Sequence, residues 1–468
     1  MKDGPGQSLE MKVVSARCPA CAHGVAVEFW DAGQQPLATL AFPRSAEEAQ
    51  ALPRYRLRFV RCVECGHVYN TEFDYNQVPY SKHPNRMYNS GPLWRKHLGR
   101  VQRLLLEVLP ARPTVVEVGC GDGHLLSNLA CARPEGRYIG FDPNAAIQTD
   151  NGRIEARVEL FIPERHLPQY RPHLVIARHV LEHLVDPLHF LQTMALAVSY
   201  YRWPIRLFVE VPCIDLALET GRTTDFFYEH NSHFSTESLR RMLERAGASI
   251  ELLEKGYGGE VVYALAELPV QAHQVQRAQQ ALAFGQQAEA RRQALAQQLQ
   301  ALAESGLRVA IWGGTGKAAA LINQCGLDAQ RFPLVVDSDK EKAGTYVPGT
   351  GQLIRFRDYL LDHPVDVILI APQWRAADIV LEIHQHGIPY QKILLEYQGR
   401  WVDYFQDEHP YCTLESPRFG SVQRQPEHPV VPAPNFFSAS GSLPSLEPLS
   451  PMPPGADPAP EWESLPNS

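Results

Sequence analysis

The sequence predicts a multidomain α/β protein: a small cysteine-bearing N-terminal domain, a doubly wound central domain, a smaller doubly wound domain, and a disordered Pro-rich tail. Three observations predict it. The 468 residues exceed what one hydrophobic core accommodates. Two long stretches alternate apolar strand-like runs with helical segments, the βαβ pattern of a mostly parallel sheet. The last stretch is rich in Pro and Ser, shows no periodicity, and offers too little apolar surface to offset chain entropy. With 44% hydrophobic and 21% charged residues the composition is that of a soluble globular chain. No apolar run approaches the ~20 residues a membrane span needs, so no membrane partner is expected. The first residues, "MKDGPGQSLEMK", lack a secretory apolar stretch, which predicts a cytoplasmic setting with reduced thiols. A formal net charge of -8 argues against wholesale nucleic-acid binding.

The N-terminal domain is expected over residues 1–89. Its "RYRLRFVRC" alternates Arg54, Arg56 and Arg58 with Tyr55, Leu57 and Phe59, the period of a half-buried strand. "CPAC" supplies Cys18 and Cys21, and "CVECGH" supplies Cys62 and Cys65. Thiolates two residues apart grip one edge of a metal ion, and two such pairs complete the tetrahedron that zinc favours. His23 and His67 flank the pairs as substitute ligands, but four thiolates are the simpler set. A zinc with four protein ligands keeps no open position, so the expected role is structural. Cys120, Cys131, Cys213, Cys325 and Cys412 read as ordinary packing or surface thiols.

The central domain is expected over 90–267. It opens on a helix capped by Ser90, with Leu93, Leu98, Val101, Leu105 and Val108 as its apolar stripe. "VVEVGCGDG" then sets Gly119, Gly121 and Gly123 between an apolar strand and a helix, with Glu117 on the strand and Asp142 ending the next one. Such a turn lets backbone lie against a ligand, and the distal carboxylate accepts hydrogen bonds from ribose hydroxyls. The spacing is not the dinucleotide fingerprint, and it favours S-adenosylmethionine over NAD. "RHVLEHLVDP" adds Arg178 and His179 as further cofactor-side candidates, and Glu182 and His183, which either line a site or cap a helix. "DFFYEHNSHFS", residues 225–235, gathers an unusual density of proton-handling groups. Its Ser235 is a good N-cap for the helix that follows, with Ser238 at the third helical position.

An Ala- and Gln-rich connecting helix is expected over 268–305, with a break near Gly285, and the second doubly wound domain over 306–411. In its "GGTGKA", Ile311 and Ala318 occupy positions where a phosphate loop requires Gly and Ser/Thr, so no nucleotidase loop is read. Gly313, Gly314, Gly316 and Lys317 are left either to cradle part of a substrate or to turn the chain. The tail is expected over 412–468.

The ordered set "CPAC…CVECGHVYN", "VVEVGCGDG", "RHVLEHLVDP", "YEHNSHFS", "GYGGE" and "WGGTGKAAALIN…VVDSDKEKAGTYVPG" resembles the S-adenosylmethionine-dependent C-methyltransferases of deoxysugar pathways, from Cys18 to about Tyr404. The resemblance implies a zinc-binding domain, a class I methyltransferase domain and a C-terminal Rossmann-like domain that helps shape a sugar-nucleotide site. It implies methyl transfer to C3 of a nucleotide-linked 4-keto-6-deoxyhexose. Glu229, His230, Phe234 and Ser235 fall on the family's Y-x-E-H-x-x-Y-F-S motif, which makes His230 the candidate base and Glu229 its orienter or a second polar contact. Phe227 and His233 stand where the family has tyrosines, and His233 is kept as a candidate in its own right. Tyr228, Tyr80 or Tyr88 would then supply the missing hydroxyl. Three other readings compete: N- or O-methylation of another small molecule; a nucleic-acid binder gripping phosphates with Arg54, Arg56, Arg58 and Arg61; and a cofactor-binding scaffold without catalysis.

Overall fold

The computed structural model describes residues 11–80, 91–145, 147 and 154–412. Tyr88, Ser90 and the tail lie outside them. Two compact units divide at residues 286 and 287.

The first unit begins with β1 (Lys12–Ser15), β2 (Val25–Gln35), the short α1 (Ala46–Ala51), β3 (Tyr55–Cys62) and β4 (Val68–Asn70). In β3 the expected alternation is present, with Leu57 and Phe59 buried. The central part follows: α2 (Pro92–Val108), β5 (Thr114–Val118), α3 (His124–Ala132), β6 (Arg137–Phe141), β7 (Ile154–Arg157), α4 (Pro163–Tyr170), β8 (Leu174–Arg178), α5 (Pro187–Tyr201) and β9 (Ile205–Pro212). It closes with α6 (Asp215–Thr220), β10 (Ser232–His233), α7 (Thr236–Arg245), β11 (Ser249–Gly256) and β12 (Val261–Leu268). The seven-stranded sheet has the order β11-β12-β9-β8-β5-β6-β7, parallel except for β12. Its order reverses between β5 and β8, so the crevice at their carboxyl ends is where an open α/β sheet binds ligands. The N-terminal sheet has the order β1-β2-β3-β4-β10. Its last strand comes from residues far along the chain: Ser232 and His233 pair with Tyr69 and Val68. The N-terminal domain therefore shares a sheet with the "DFFYEHNSHFS" segment.

Two expectations need correction here. The described part of the opening helix starts at Pro92 with Gly91 as its cap, and its buried stripe is Trp94, His97, Val101 and Leu105, whereas Leu93 is 71% exposed. A buried histidine shifts the stripe because it bonds a buried carboxylate, described below. The long helix α8 (Ala272–Glu304) also runs unbroken through Gly285. Its Ala-, Gln- and Leu-rich flanks outweigh the ~1 kcal/mol that one glycine costs a helix.

The second unit carries β13 (Val309–Trp312), α9 (Lys317–Cys325), β14 (Leu334–Asp337), β15 (Ile354–Phe356), α10 (Tyr359–Asp362), β16 (Val367–Ile370), α11 (Ala376–Gln385), β17 (Lys392–Tyr397) and β18 (Arg400–Asp403). The sheet order is β15-β14-β13-β16-β17-β18, parallel but for β18. This is the doubly wound domain that the alternating pattern predicts.

Candidate active site and cysteine centre

The glycine turn follows β5 directly. Gly119, Gly121 and Gly123 all take positive φ, of 69°, 54° and 72°. At Gly119 a Cβ would lie 2.5 Å from Val180 Cγ2, whereas at Gly121 none of the described residues lies within 4 Å of one. The turn thus needs glycine for packing on one side and stays open on the other. Gly121 donates its N–H to Asp142 Oδ2 at 3.0 Å, and Asn144 donates to Oδ1 at 2.7 Å. Each carboxylate oxygen keeps a lone pair. Glu117, on β5, is 4% exposed, its Oε2 has no hydrogen-bond partner among the described residues, and burial pushes its pKa up to about 8. An orphaned buried carboxyl beside an open glycine turn fits a ligand with hydroxyl and ammonium donors.

Across the switch point, β8 ends in Arg178, which donates through Nε and Nη2 to Glu210 Oε1 at 2.9 and 2.7 Å. His97 Nε2 lies 2.6 Å from Glu210 Oε2. His179, at φ 53°, places Nε2 3.4 Å from Glu210 and Nδ1 3.5 Å from Glu182 Oε1. Burial alone would lower the pKa of His179, but the Glu182 and Glu210 carboxylates raise it to about 9. Glu210 is fully buried, and Arg178, then His179 and His97, hold it well below the usual carboxylate range despite that burial. Neither Glu210 nor His97 was singled out from sequence; an acid inside the apolar run "RLFVEVP" is the signal that pointed to it.

In "DFFYEHNSHFS" most polar groups turn out to be anchors. Asp225 takes a bidentate contact from Arg222, which also grips Glu260. Tyr228 is 2% exposed; its hydroxyl accepts from Asp74 N–H at 2.9 Å and donates to the Glu72 carbonyl at 3.3 Å. Glu229 is fully buried, and its Oε1 accepts from Thr39 N–H at 2.6 Å, Thr39 Oγ1 at 3.2 Å and Leu40 N–H at 3.1 Å. Asn231 Nδ2 donates to the carbonyls of Leu184 and Val185. His233 packs between Phe59 and Phe226, and burial lowers its pKa to about 3. Ser235 and Ser238 form a reciprocal cap on α7, with distances of 3.1 and 2.9 Å.

Glu229 Oε2, Ser232 Oγ and His233 Nε2 have no hydrogen-bond partner among the described residues, and the His230 side chain is likewise uncommitted. The His230 ring has no hydrogen-bond partner among the described residues; it packs on Phe227 at 4.2 Å and on His183 at 4.8 Å between centroids. Burial, then His183 and His233, hold its pKa well below that of a free histidine, so the imidazole is neutral at pH 7. Tyr80 lies alongside. Its hydroxyl donates to the Glu229 carbonyl and sits 3.1 Å from His183 Nδ1, while its own carbonyl accepts from Asn144 Nδ2 at 2.5 Å. Tyr80 therefore links the His230 segment to the loop that carries Asp142.

The cysteine centre is built from two turns of the same design. Cys18 and Cys62 each accept from the N–H four residues on, Ala22 and Gly66, and each donates its own N–H to the carbonyl five residues on, His23 and His67. Ala22 and Gly66 both take left-handed φ, 64° and 72°. Cys18–Cys65 and Cys21–Cys62 sulfurs lie 3.6 Å apart, and all four lie within 4.8 Å of one another. A disulfide would need about 2.05 Å. A tetrahedral zinc with bonds of ~2.3 Å has sulfur–sulfur edges of ~3.8 Å, so the four thiols fit one. The hydrogen bond from Cys18 lowers Cys65 to about 6, and burial with the neighbouring thiols raises Cys21 to about 12. His67 is not part of the set; its Nδ1 faces Ser238 Oγ at 3.4 Å.

In the second unit, Gly313 and Gly316 take positive φ, Gly314 N–H lies 3.3 Å from Asp337 Oδ2, and Lys317 Nζ stands 5.5 Å from the Trp374 ring.

A methyltransferase-domain family model matches residues 93–253, and a model of the C-methyltransferase C-terminal domain matches residues 261–393. The chain is similar to the C-methyltransferase NovU of Streptomyces niveus, 27% identical over 316 residues, covering 62% of this chain and 71% of that protein. Among solved structures it is similar to a SAM-dependent methyltransferase from Aquifex aeolicus, with 14% identity, TM-score 0.28, and coverage of 39% of this chain and 100% of that one. It is also similar to human N-acetylserotonin methyltransferase in complex with SAM, with 14% identity, TM-score 0.29, and coverage of 42% and 63%.

Proposed function

We propose that this methyltransferase is a sugar C-methyltransferase that methylates a carbon beside the ketone of a nucleotide-linked keto-deoxysugar, with His230 as the base. The observation that carries this reading is the His230 imidazole, neutral and without a side-chain hydrogen bond among the described residues, in a segment where Asp225, Tyr228, Asn231 and Ser235 are tied into the fold.

Carbon next to a ketone becomes nucleophilic only when its proton leaves, so the site needs a base there and a donor for the enolate oxygen. His230 takes the proton. Tyr80 is the hydroxyl for the enolate among the described residues, because it lies beside His183 and the His230 segment and turns its O–H from the Glu229 carbonyl to the substrate oxygen, whereas Tyr228 is held by Asp74 and Glu72 and Phe227 has no hydroxyl to offer. Glu229 acts on the base through position: its carboxylate ties the segment to Thr39 and Leu40. S-adenosylmethionine supplies an electrophilic methyl group. Asp142 holds its ribose hydroxyls, the Gly119–Gly123 turn lets its adenosyl part approach the backbone, and Glu117 offers the orphaned acceptor. Arg178 and His179 form the cationic wall of the crevice, kept in place by Glu210. Cys18, Cys21, Cys62 and Cys65 hold one structural zinc.

Asp142→Ala is expected to weaken S-adenosylmethionine binding by about 1.5–3 kcal/mol, the usual worth of hydrogen bonds to a charged group. Calorimetry that finds unchanged affinity contradicts the assignment. The function itself is tested by incubating the enzyme with S-adenosylmethionine and a panel of nucleotide keto-sugars. A mass gain of one methyl group, with the methyl on carbon, is expected. Phe227 in place of tyrosine favours one second reading, methylation on nitrogen or oxygen, which needs no enolate; a product methylated there would establish it instead.

A further inference from the structure

The geometry points to a second metal site, separate from the four thiols, in which Glu182, His183 and His230 bind a divalent transition-metal ion that competes with the proton His230 takes up. One ligand-type atom from each of the three lies within 4.8 Å of the others. Two ligands on opposite sides of one such ion stand ~4.2 Å apart, so a small side-chain rotation closes the set.

Glu182 gives the independent sign of an unfilled ligand position. It is 1% exposed, and neither carboxylate oxygen has a hydrogen-bond partner among the described residues. Its one charged neighbour of note, His179 Nδ1, is 3.5 Å from Oε1, close enough for ion pairing but not hydrogen-bonded. The pairing with His179 is on Oε1, and a buried Oε2 left without a donor or cation is costly until a ligand completes it.

The local structure prepares the other two ligands. Glu182 and His183 come from one 3-10 turn, Leu181–His183, just after β8. His183 Nδ1 lies 2.9 Å from the Glu229 carbonyl, which fixes the ring beside the His230 segment. Asn231 clamps the His230 segment onto the same turn through the Leu184 and Val185 carbonyls. Two imidazoles and one carboxylate suit Zn2+, Co2+, Ni2+ or Fe2+, and three protein ligands leave a coordination position open toward a substrate oxygen. A metal on His230 occupies the lone pair that removes the substrate proton, so occupancy inhibits. That inhibition rests on His230 being the base; the site does not.

Cobalt added alone to the full-length, zinc-loaded protein tests it. One further Co2+ per chain is expected, weaker than the thiol-bound zinc, with visible absorption of nitrogen and oxygen ligation and no thiolate charge-transfer band. Glu182→Gln and His183→Asn are each expected to raise the cobalt Kd tenfold or more while metal analysis still finds the first zinc. No further cobalt at millimolar concentration in folded wild type, or equal affinity in both variants, overturns the site. Cobalt bound at the triad without loss of methyl transfer keeps the site and overturns the competition, so the two failures are distinguishable.

Discussion

His230→Ala is expected to lower kcat by about 10²–10⁴-fold, the usual share of a general base, with S-adenosylmethionine affinity nearly unchanged. The split follows from the architecture. The cofactor groups Glu117, Asp142 and the glycine turn sit at the ends of β5 and β6, whereas His230 lies in the segment that leads into β10. The fold should tolerate the change, because the anchors of that segment are Asp225, Tyr228, Glu229, Asn231 and the Ser235–Ser238 cap. Single-turnover kinetics with a keto-sugar, together with calorimetry of the cofactor, separate the two effects. Full activity in the variant removes His230 from the role, and a matched loss of cofactor affinity and rate would mean that the site had collapsed.

Cys62→Ser is expected to drop zinc below one per chain and destabilise the first unit by on the order of 3 kcal/mol, since the binding energy of a structural metal is also folding energy. For a unit of this size that is roughly 6–12 °C in Tm. Activity should fall with it although no thiol touches the reacting carbon. β4 follows the second cysteine turn, and β10, next to His230, pairs with β4, so loosening the centre loosens the base. Metal analysis and thermal unfolding on the same preparation check this. Zinc-free protein with unchanged Tm and full activity contradicts it.

What the sequence disclosed and what it hid divide along contact distance. The glycine turn with its distal acid, the paired cysteines and the Ser235–Ser238 cap are local patterns, and each lies where the spacing places it. Non-local partners left no such trace. Nothing in "SH" at 232–233 marks an edge strand for a sheet more than 160 residues earlier. Glu229 resembles a partner for its neighbour His230, yet its carboxylate reaches Thr39, 190 positions away. The same holds for α2, whose sequence reads as a leucine stripe, whereas Glu210 draws His97 into the core instead. Tyr80 stood among three tyrosines that sequence could not rank; its place beside His183 and Asn144 separates it from Tyr228, while Tyr88 is outside the described residues.

Solvent deuterium exchange at the carbon beside the substrate ketone tests the central claim most directly. Wild type and His230→Ala are incubated with the keto-sugar in D2O, and NMR follows the proton on that carbon. Exchange in wild type, and its loss in the variant, is the predicted result. Exchange that persists undiminished in His230→Ala, or a wild-type product whose new methyl sits on oxygen or nitrogen, contradicts it.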